Sequence, residues 1–443
     1  MIERPRMHIK TFGCQMNRYD SDRMLEMMVA RGYELSDDPN TADLVIVNTC
    51  SVREKPERKV QSFVSRIVSG SRHGEKGSRS KPVFVIAGCV AEQHGGEFLD
   101  MQPDVDLVIG PDHLHELPDL VERVKKGERI SAVGEETVPS FLQARPSGPG
   151  VRVSEAVTIA KGCDNYCSYC IVPYVRGRER SRPAVQIVDE ASGLVALGAR
   201  EIVLIGQNVN SYSGEGGFPL LLERVSRIPG LSRLRFTTSH PKDFSRSLAR
   251  QFKELDNLCE WLHMPFQSGS DRVLENMNRG YTRAQYLEKV AMYREYAPNG
   301  AIGADCIVGF PGETHKDFED TMKLVEEVCF DQLFSFKYSP RPGTSALCLA
   351  DDVPMDVKTG RLKELQELHT AMTRRKNLEL VGTRQQVLVE GPSSRGDQMS
   401  GRTRSNKVVN FCGKESLVGS LVLVHIEEGL ANSLRGRIEE SAA

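Results

Sequence analysis

At 443 residues the chain has room for two to four domains of roughly 150 residues each, and 39% hydrophobic residues can fill their cores. A net charge of −2 excludes a uniformly basic nucleic-acid binder, so any RNA contact must come from local patches. No apolar run approaches the roughly 18 residues of a membrane helix, and the start, "MIERPRMHIK", has no apolar segment of signal-peptide type. A soluble, cytoplasmic protein with no membrane partner is expected. In that reducing compartment the eleven cysteines point to metal or redox chemistry more than to disulfides.

The first part alternates apolar runs with amphipathic stretches. "MHIKTF" (7–12) reads as a strand, and Ser21 to Arg31 has helical spacing through Met24, Leu25, Met28 and Val29. "DLVIVNT" (43–49), "PVFVIAG" (82–88) and "DVDLVIG" (104–110) are further strands. Strands separated by helices imply a parallel α/β sheet, with the domain placed at 6–125. Residues 126–150 are read as a linker, because "PSFLQARPSGPG" (139–150) is rich in Pro, Gly and Ser. The stretch 151–378 repeats the strand–helix rhythm, with strands at 155–162, 201–208, 231–238, 260–266, 301–310 and 331–338 and helices such as 282–295 and 316–328. Six such units predict a partial or full (β/α) barrel, whose chemistry sits at the carboxyl ends of the strands. After that, 379–442 holds Gly-punctuated β runs and predicts a small β-barrel.

"GCDNYCSYC" (162–170) sets Cys163, Cys167 and Cys170 in one loop after a predicted strand. Four thiolates would saturate a [4Fe–4S] cluster, so three leave one iron open. A structural zinc site would want a fourth Cys or His close by, yet the nearest following histidine is His240. A second trio is spread out. Cys14, Cys50 and Cys89 each directly follow a predicted parallel strand, in "HIKTFGC", "LVIVNTC" and "FVIAGC". Carboxyl ends of parallel strands share one edge, where the three thiols can converge. One buried core cysteine would mean little; three at equivalent positions read as a second metal site with an open iron. Cys259, Cys306, Cys329, Cys348 and Cys412 are scattered and read as small core residues.

CxxxCxxC with Tyr169 before the last cysteine, opening a β/α barrel, resembles the radical S-adenosylmethionine (SAM) superfamily. The resemblance implies that the open iron holds SAM and that one electron cleaves it to a radical able to abstract hydrogen. "GQN" (206–208), "HMPFQSGS" (263–270), "DCIVGFPGE" (305–313) and "YSPRPGT" (338–344) resemble the cofactor-pocket motifs, making Tyr169, Gln207, Gln267 and Asp305 candidates to touch SAM or substrate. "TFGCQMNRYDS" (11–21), "NTCSVREKPERKV" (48–60), "GCVAEQ" (88–93) and the tail "GRTRSNKVVNF" (401–411) narrow this to the methylthiotransferases, with a carboxyl-terminal TRAM module. "GCQMN" and the tail look most like the branch acting on carbon 2 of N6-isopentenyladenosine in tRNA. Sister branches act on threonylcarbamoyl-adenosine or on a ribosomal protein. The resemblance implies two SAM per turnover, two [4Fe–4S] clusters, and sulfur carried by the auxiliary one at Cys14, Cys50 and Cys89.

A tRNA substrate needs basic patches. Arg395, Arg402, Arg404, Lys407 and Lys414 face one acid, Asp397, within 395–414, and "VRGRERSR" (175–182) adds Arg176, Arg178, Arg180 and Arg182. "REKPERK" (53–59) is more mixed. Phe411 and Tyr174 are the nearby candidates for base stacking. A rival from another class is a non-enzymatic RNA-binding protein whose cysteines hold zinc. The sequence identifies neither the electron donor nor the sulfur source.

Overall fold

Parallel strands joined by helical crossovers organise the amino-terminal unit. The computed structural model describes residues 4–51, 62–67, 81–136, 141–142, 151–393 and 396–439. Two compact units result: 1–150 with 161–164 and 170–182, and 151–160 with 165–169 and 183–443.

In the first unit, β1 (Arg6–Thr11), β2 (Glu34–Leu35), β3 (Leu44–Thr49), β4 (Val83–Gly88), β5 (Leu107–Ile109) and β6 (Ile130–Ala132) form one sheet. Its order is β2-β1-β3-β4-β5-β6 and every pairing is parallel. All six residues of β3 are buried, because a central parallel strand is covered on both faces and reads as a continuous apolar run. Its side chains alternate between two cores: Leu44 and Ile46 pack with Met24, Met28 and Leu117, while Val45 and Val47 pack with Phe84, Ile86 and Val90. Helix α1 (Gln15–Ala30) starts six residues ahead of the predicted Ser21. Its first turns bury polar Asn17 and Asp20, which carry no apolar period to read. The short edge strands β2 and β6 were not anticipated either.

The two-residue strands β8 (Ala160–Lys161) and β9 (Arg180–Ser181) fall at the unit boundary and in the first unit respectively, and in the second unit the strands are β7 (Ser154–Thr158), β10 (Glu201–Ile205), β11 (Arg233–Phe236), β12 (Trp261–His263), β13 (Ala301–Val308) and β14 (Gln332–Lys337). They make two parallel three-stranded sheets, β11-β10-β7 and β12-β13-β14, joined through a parallel bridge between Leu234 and Leu258. The predicted barrel is therefore a partial one. Helices cross between the strands, and two begin with capping boxes, Thr282 with Gln285 and Thr314 with Asp317. A 24-residue helix, Met355–Leu378, leads to β15 (Arg384–Pro392), β16 (Met399–Thr403), β17 (Val408–Cys412), β18 (Leu421–Gly429) and β19 (Leu434–Ile438), which close into the predicted small barrel. Among the described residues no helix is long and apolar enough to cross a membrane.

Candidate metal centres

The register of the first sheet sets Thr11 opposite Asn48 and Thr49 opposite Gly88, so β1, β3 and β4 end at one level. Cys50 and Cys89 follow directly, and Cys14 follows after Phe12 and Gly13. Two glycines let these ends crowd together. Gly13 has φ +134° and a Cβ there would lie 2.3 Å from Cys50 Cβ; Gly88 has φ +91° and its Cβ would lie 2.4 Å from Asn48 Oδ1. Only glycine meets both demands, a left-handed backbone and no side chain. Asn17 and Asn48, both fully buried, lace the loops. Asn17 Nδ2 donates to Asn48 Oδ1 (2.9 Å) and to the Thr49 carbonyl (2.8 Å), and Asn48 Nδ2 donates to the Asn17 carbonyl (2.8 Å). Cys14 Sγ donates to Asn17 Oδ1 at 3.1 Å.

Arg176 lies against this triad. Its Nε donates to Cys89 Sγ at 3.3 Å and its Nη2 to Asp20 Oδ2 at 2.8 Å. Both partners of that ion pair are only 3% exposed. The Cys14 thiol is pulled down to about 6, first by the hydrogen bond with Cys50, against the opposing effect of burial, and then by the Arg176 charge. Cys89 moves the other way, because complete burial outweighs the attraction of Arg176. Soft sulfur donors around one buried guanidinium suit an iron–sulfur cluster or zinc. Arg176 Nη1 is buried with no hydrogen-bond partner among the described residues. An orphaned cationic N–H beside three thiols fits an anionic group, as a thiolate-ligated cluster is.

Cys163, Cys167 and Cys170 need no fold to be near one another, since one eight-residue stretch carries them. Cys163 and Cys170 fall in the first unit and Cys167 in the second. Cys167 Sγ, buried, accepts from Arg279 Nη1 at 3.3 Å. That guanidinium is also buried and donates to Tyr169 Oη (3.3 Å), Tyr281 Oη (3.0 Å) and the Pro265 carbonyl (3.0 Å). Ser168 fastens the loop, its N–H to the Met277 carbonyl and its Oγ to the Asn276 carbonyl. Each triad therefore has one buried arginine hydrogen-bonded to one sulfur. Neither Arg176 nor Arg279 was read from sequence as part of a metal centre.

The proposed SAM contacts stand at strand ends in the second unit. Gln207 follows β10, Gln267 follows β12 in the left-handed region (φ +65°), and Asp305 lies on β13. Gln267 N–H donates to the Asp305 carbonyl at 2.9 Å. Gln207 Oε1, Gln267 Oε1, Ser239 Oγ, His240 Nε2 and both ring nitrogens of His263 are buried with no hydrogen-bond partner among the described residues. Buried polar atoms are normally paired, so this group at strand carboxyl ends fits a small polar cofactor. Burial, with Arg279 and Lys242 adding to it, lowers His240 to about 2 and keeps it neutral. The Tyr169 ring packs with Phe310 and Tyr338.

One of the RNA expectations, Arg176, is corrected, and two others, Arg404 and Lys407, are engaged within the protein. Arg176 is spent on Asp20 and Cys89 inside the first unit and offers nothing to solvent. Arg404 donates to Glu260 (2.7 and 2.6 Å) and to the carbonyls of Asp256 and Leu258. Lys407 is held by Asn377 Oδ1 at 2.8 Å and Asp331 at 3.5 Å. The last two fasten the small barrel to the central strands. Arg233 and Arg235 cross the same seam, donating to the carbonyls of Arg402, Gln386, Thr403 and Arg404. The stacking role of Phe411 is corrected too, because it is fully buried in the small barrel's core. Arg182 is likewise buried, and Arg180 pairs with Asp112 at 2.7 Å. Arg178, with a side chain 75% exposed beside Asp164, and Arg402, 37% exposed beside Glu390, keep accessible charge. Lys414 and Tyr174 are exposed. Arg395 and the run 53–59 lie outside the described residues. Arg404→Ala is expected to speed amide exchange across Met399–Thr403 by about tenfold or more, since hydrogen bonds to charged groups contribute roughly 1.5–3 kcal/mol; unchanged exchange would count against the seam.

The amino-terminal segment 6–110 matches the uncharacterized protein family UPF0004, 157–325 matches the radical SAM superfamily, and 378–438 matches the TRAM domain. Curated proteins named tRNA-2-methylthio-N(6)-dimethylallyladenosine synthase are similar along the whole length. The one from Geobacter sulfurreducens is 48% identical, covering 99% of this chain and 98% of its own. The one from Syntrophus aciditrophicus is 44% identical, covering 99% and 95%. Among solved structures, the radical S-adenosylmethionine methyltransferase TsrM from Kitasatospora setae, with cobalamin and a [4Fe–4S] cluster bound, superposes with a TM-score of 0.59 at 15% identity, covering 78% of this chain and 77% of that one.

Proposed function

This chain belongs to the family of tRNA-2-methylthio-N(6)-dimethylallyladenosine synthases, and on that premise we propose that it methylthiolates carbon 2 of N6-isopentenyladenosine beside the anticodon of tRNA. It is a radical SAM enzyme whose cofactors are two [4Fe–4S] clusters and SAM. The observation that carries the reading is the pair of incomplete thiol triads in one chain. Three sulfurs leave a cluster one position short of closure. When bound, the clusters and SAM supply an electron, a hydrogen-abstracting radical, a methyl group and a sulfur carrier, with two SAM used per turnover.

The residues of this chain prepare the ground for that chemistry. Cys163, Cys167 and Cys170 would hold the cluster that binds SAM, and Cys14, Cys50 and Cys89 the auxiliary one. Gln207, Gln267 and Asp305 would orient SAM by hydrogen bonding, with Tyr169 fixing the loop through Arg279. Arg176 balances part of the charge of the second triad from a site closed to water. The target base must leave the loop stack to be reached, and of the arginines expected to meet RNA, Arg178 and Arg402 keep accessible charge for phosphate among the described residues. The setting is the cytoplasm, where tRNA is processed.

In a strain lacking this gene, tRNA nucleosides are expected to accumulate isopentenyladenosine without its methylthio group. Nucleosides unchanged from the parent strain, or loss of a threonylcarbamoyl derivative instead, would remove the substrate assignment.

A further inference from the structure

The second half of the barrel wall carries aromatic surface that the core does not use. Phe334 and Phe336 on β14 are 43% and 39% exposed. Two residues apart on a strand, they share a face. Register pairs them with Asp305 and Ile307 of β13. His263 meets Phe334 edge-on at 6.4 Å and stacks on Trp261 at 5.9 Å. Gly303 sits among them, where a Cβ would lie 3.3 Å from Trp261 and 3.4 Å from His263. One face of β12, β13 and β14 thus presents Trp261, His263, Asp305, Phe334 and Phe336 together. Ile307, opposite Phe336, packs in the same cluster as Tyr169 of the cysteine loop. A cavity of about 520 Å³ opens here, lined by Trp261, Phe334 and Phe336 and, from the small barrel, Arg402, Asn406 and Ser433.

Exposed aromatic side chains beside a concave, partly polar surface mark a ligand site, and this volume is within the usual range for one. Three features select the occupant. Aromatic planes match the face of a base. His263, edge-on behind Phe334, is buried with neither nitrogen hydrogen-bonded among the described residues, its Nε2 3.5 Å from Asp305 Oδ1, so the wall is backed by polar groups left without a partner. Arg402 brings a half-exposed guanidinium to the rim, the complement of a phosphate. We propose that this wall receives the unstacked purine of the RNA with its N6-alkyl group against Phe334 and Phe336, which makes these two residues the determinants of preference for the alkylated base. This rests on the methylthiotransferase reading above.

The test uses full-length protein under anaerobic conditions and two anticodon stem-loop RNAs, one with N6-isopentenyladenosine and one with plain adenosine. Burying the alkyl group predicts that wild type binds the first about tenfold or more tighter. Phe334→Ala/Phe336→Ala brings that ratio close to one. Phe334→Leu/Phe336→Leu, which keeps apolar surface, retains most of it. Both phenylalanines are half exposed, so the substitutions open no core cavity, and an unchanged melting temperature verifies the fold. If wild type discriminates and the alanine variant discriminates equally, the wall is not the alkyl site. If wild type does not discriminate, the substrate reading itself falls.

Discussion

Cys50→Ala is expected to retain SAM cleavage while losing methylthiolated product, and Cys163→Ala to lose both. The division follows from where the thiols sit. Cys50 follows β3 in the first sheet, against Gly13 and Cys14, and belongs to the triad proposed to carry sulfur. Cys163 belongs to the loop proposed to bind SAM. Disturbing groups around a metal ligand already costs about 10–100-fold, so removal of the ligand should exceed that. Replacing one small buried side chain by another leaves the strand ends packed. Product formed at the wild-type rate by Cys50→Ala would place the sulfur-carrying cluster elsewhere.

Arg176→Met should be strongly damaging. It strands the Asp20 carboxylate in a site where both partners are 3% exposed, and breaking such a pair costs about 3–5 kcal/mol. It also removes the N–H donor to Cys89 Sγ. The two effects separate experimentally. Arg176→Met/Asp20→Leu removes the unpaired charge and should recover most of the stability to urea, because apolar replacement of a buried pair is often neutral. Iron retained at the auxiliary triad should stay low in both variants. Full iron in the double variant would reduce Arg176 to a packing element.

The sheets were legible because buried parallel strands are apolar runs, and the four central strands of the first unit and all six of the barrel wall lie where those runs are. The triads were legible because each cysteine of the first one follows such a run and the other three share a loop. Their arginines were not. Arg176 sits in a basic stretch that reads as an RNA-contact patch, and its partner Asp20 is 156 residues away. Arg279 and Cys167 are 112 residues apart. The tail shows the same distance effect, since Arg404 answers Glu260 across 144 residues. Helix Met355–Leu378 escaped notice since it buries only five side chains, three of them polar, too few for a period.

Iron and acid-labile sulfide counted on anaerobically purified protein test the central claim most directly. Two four-iron clusters require about eight irons per chain in wild type and about four in each triple variant, Cys14→Ala/Cys50→Ala/Cys89→Ala and Cys163→Ala/Cys167→Ala/Cys170→Ala. Stoichiometric zinc in place of iron, or eight irons surviving the loss of either triad, would contradict it.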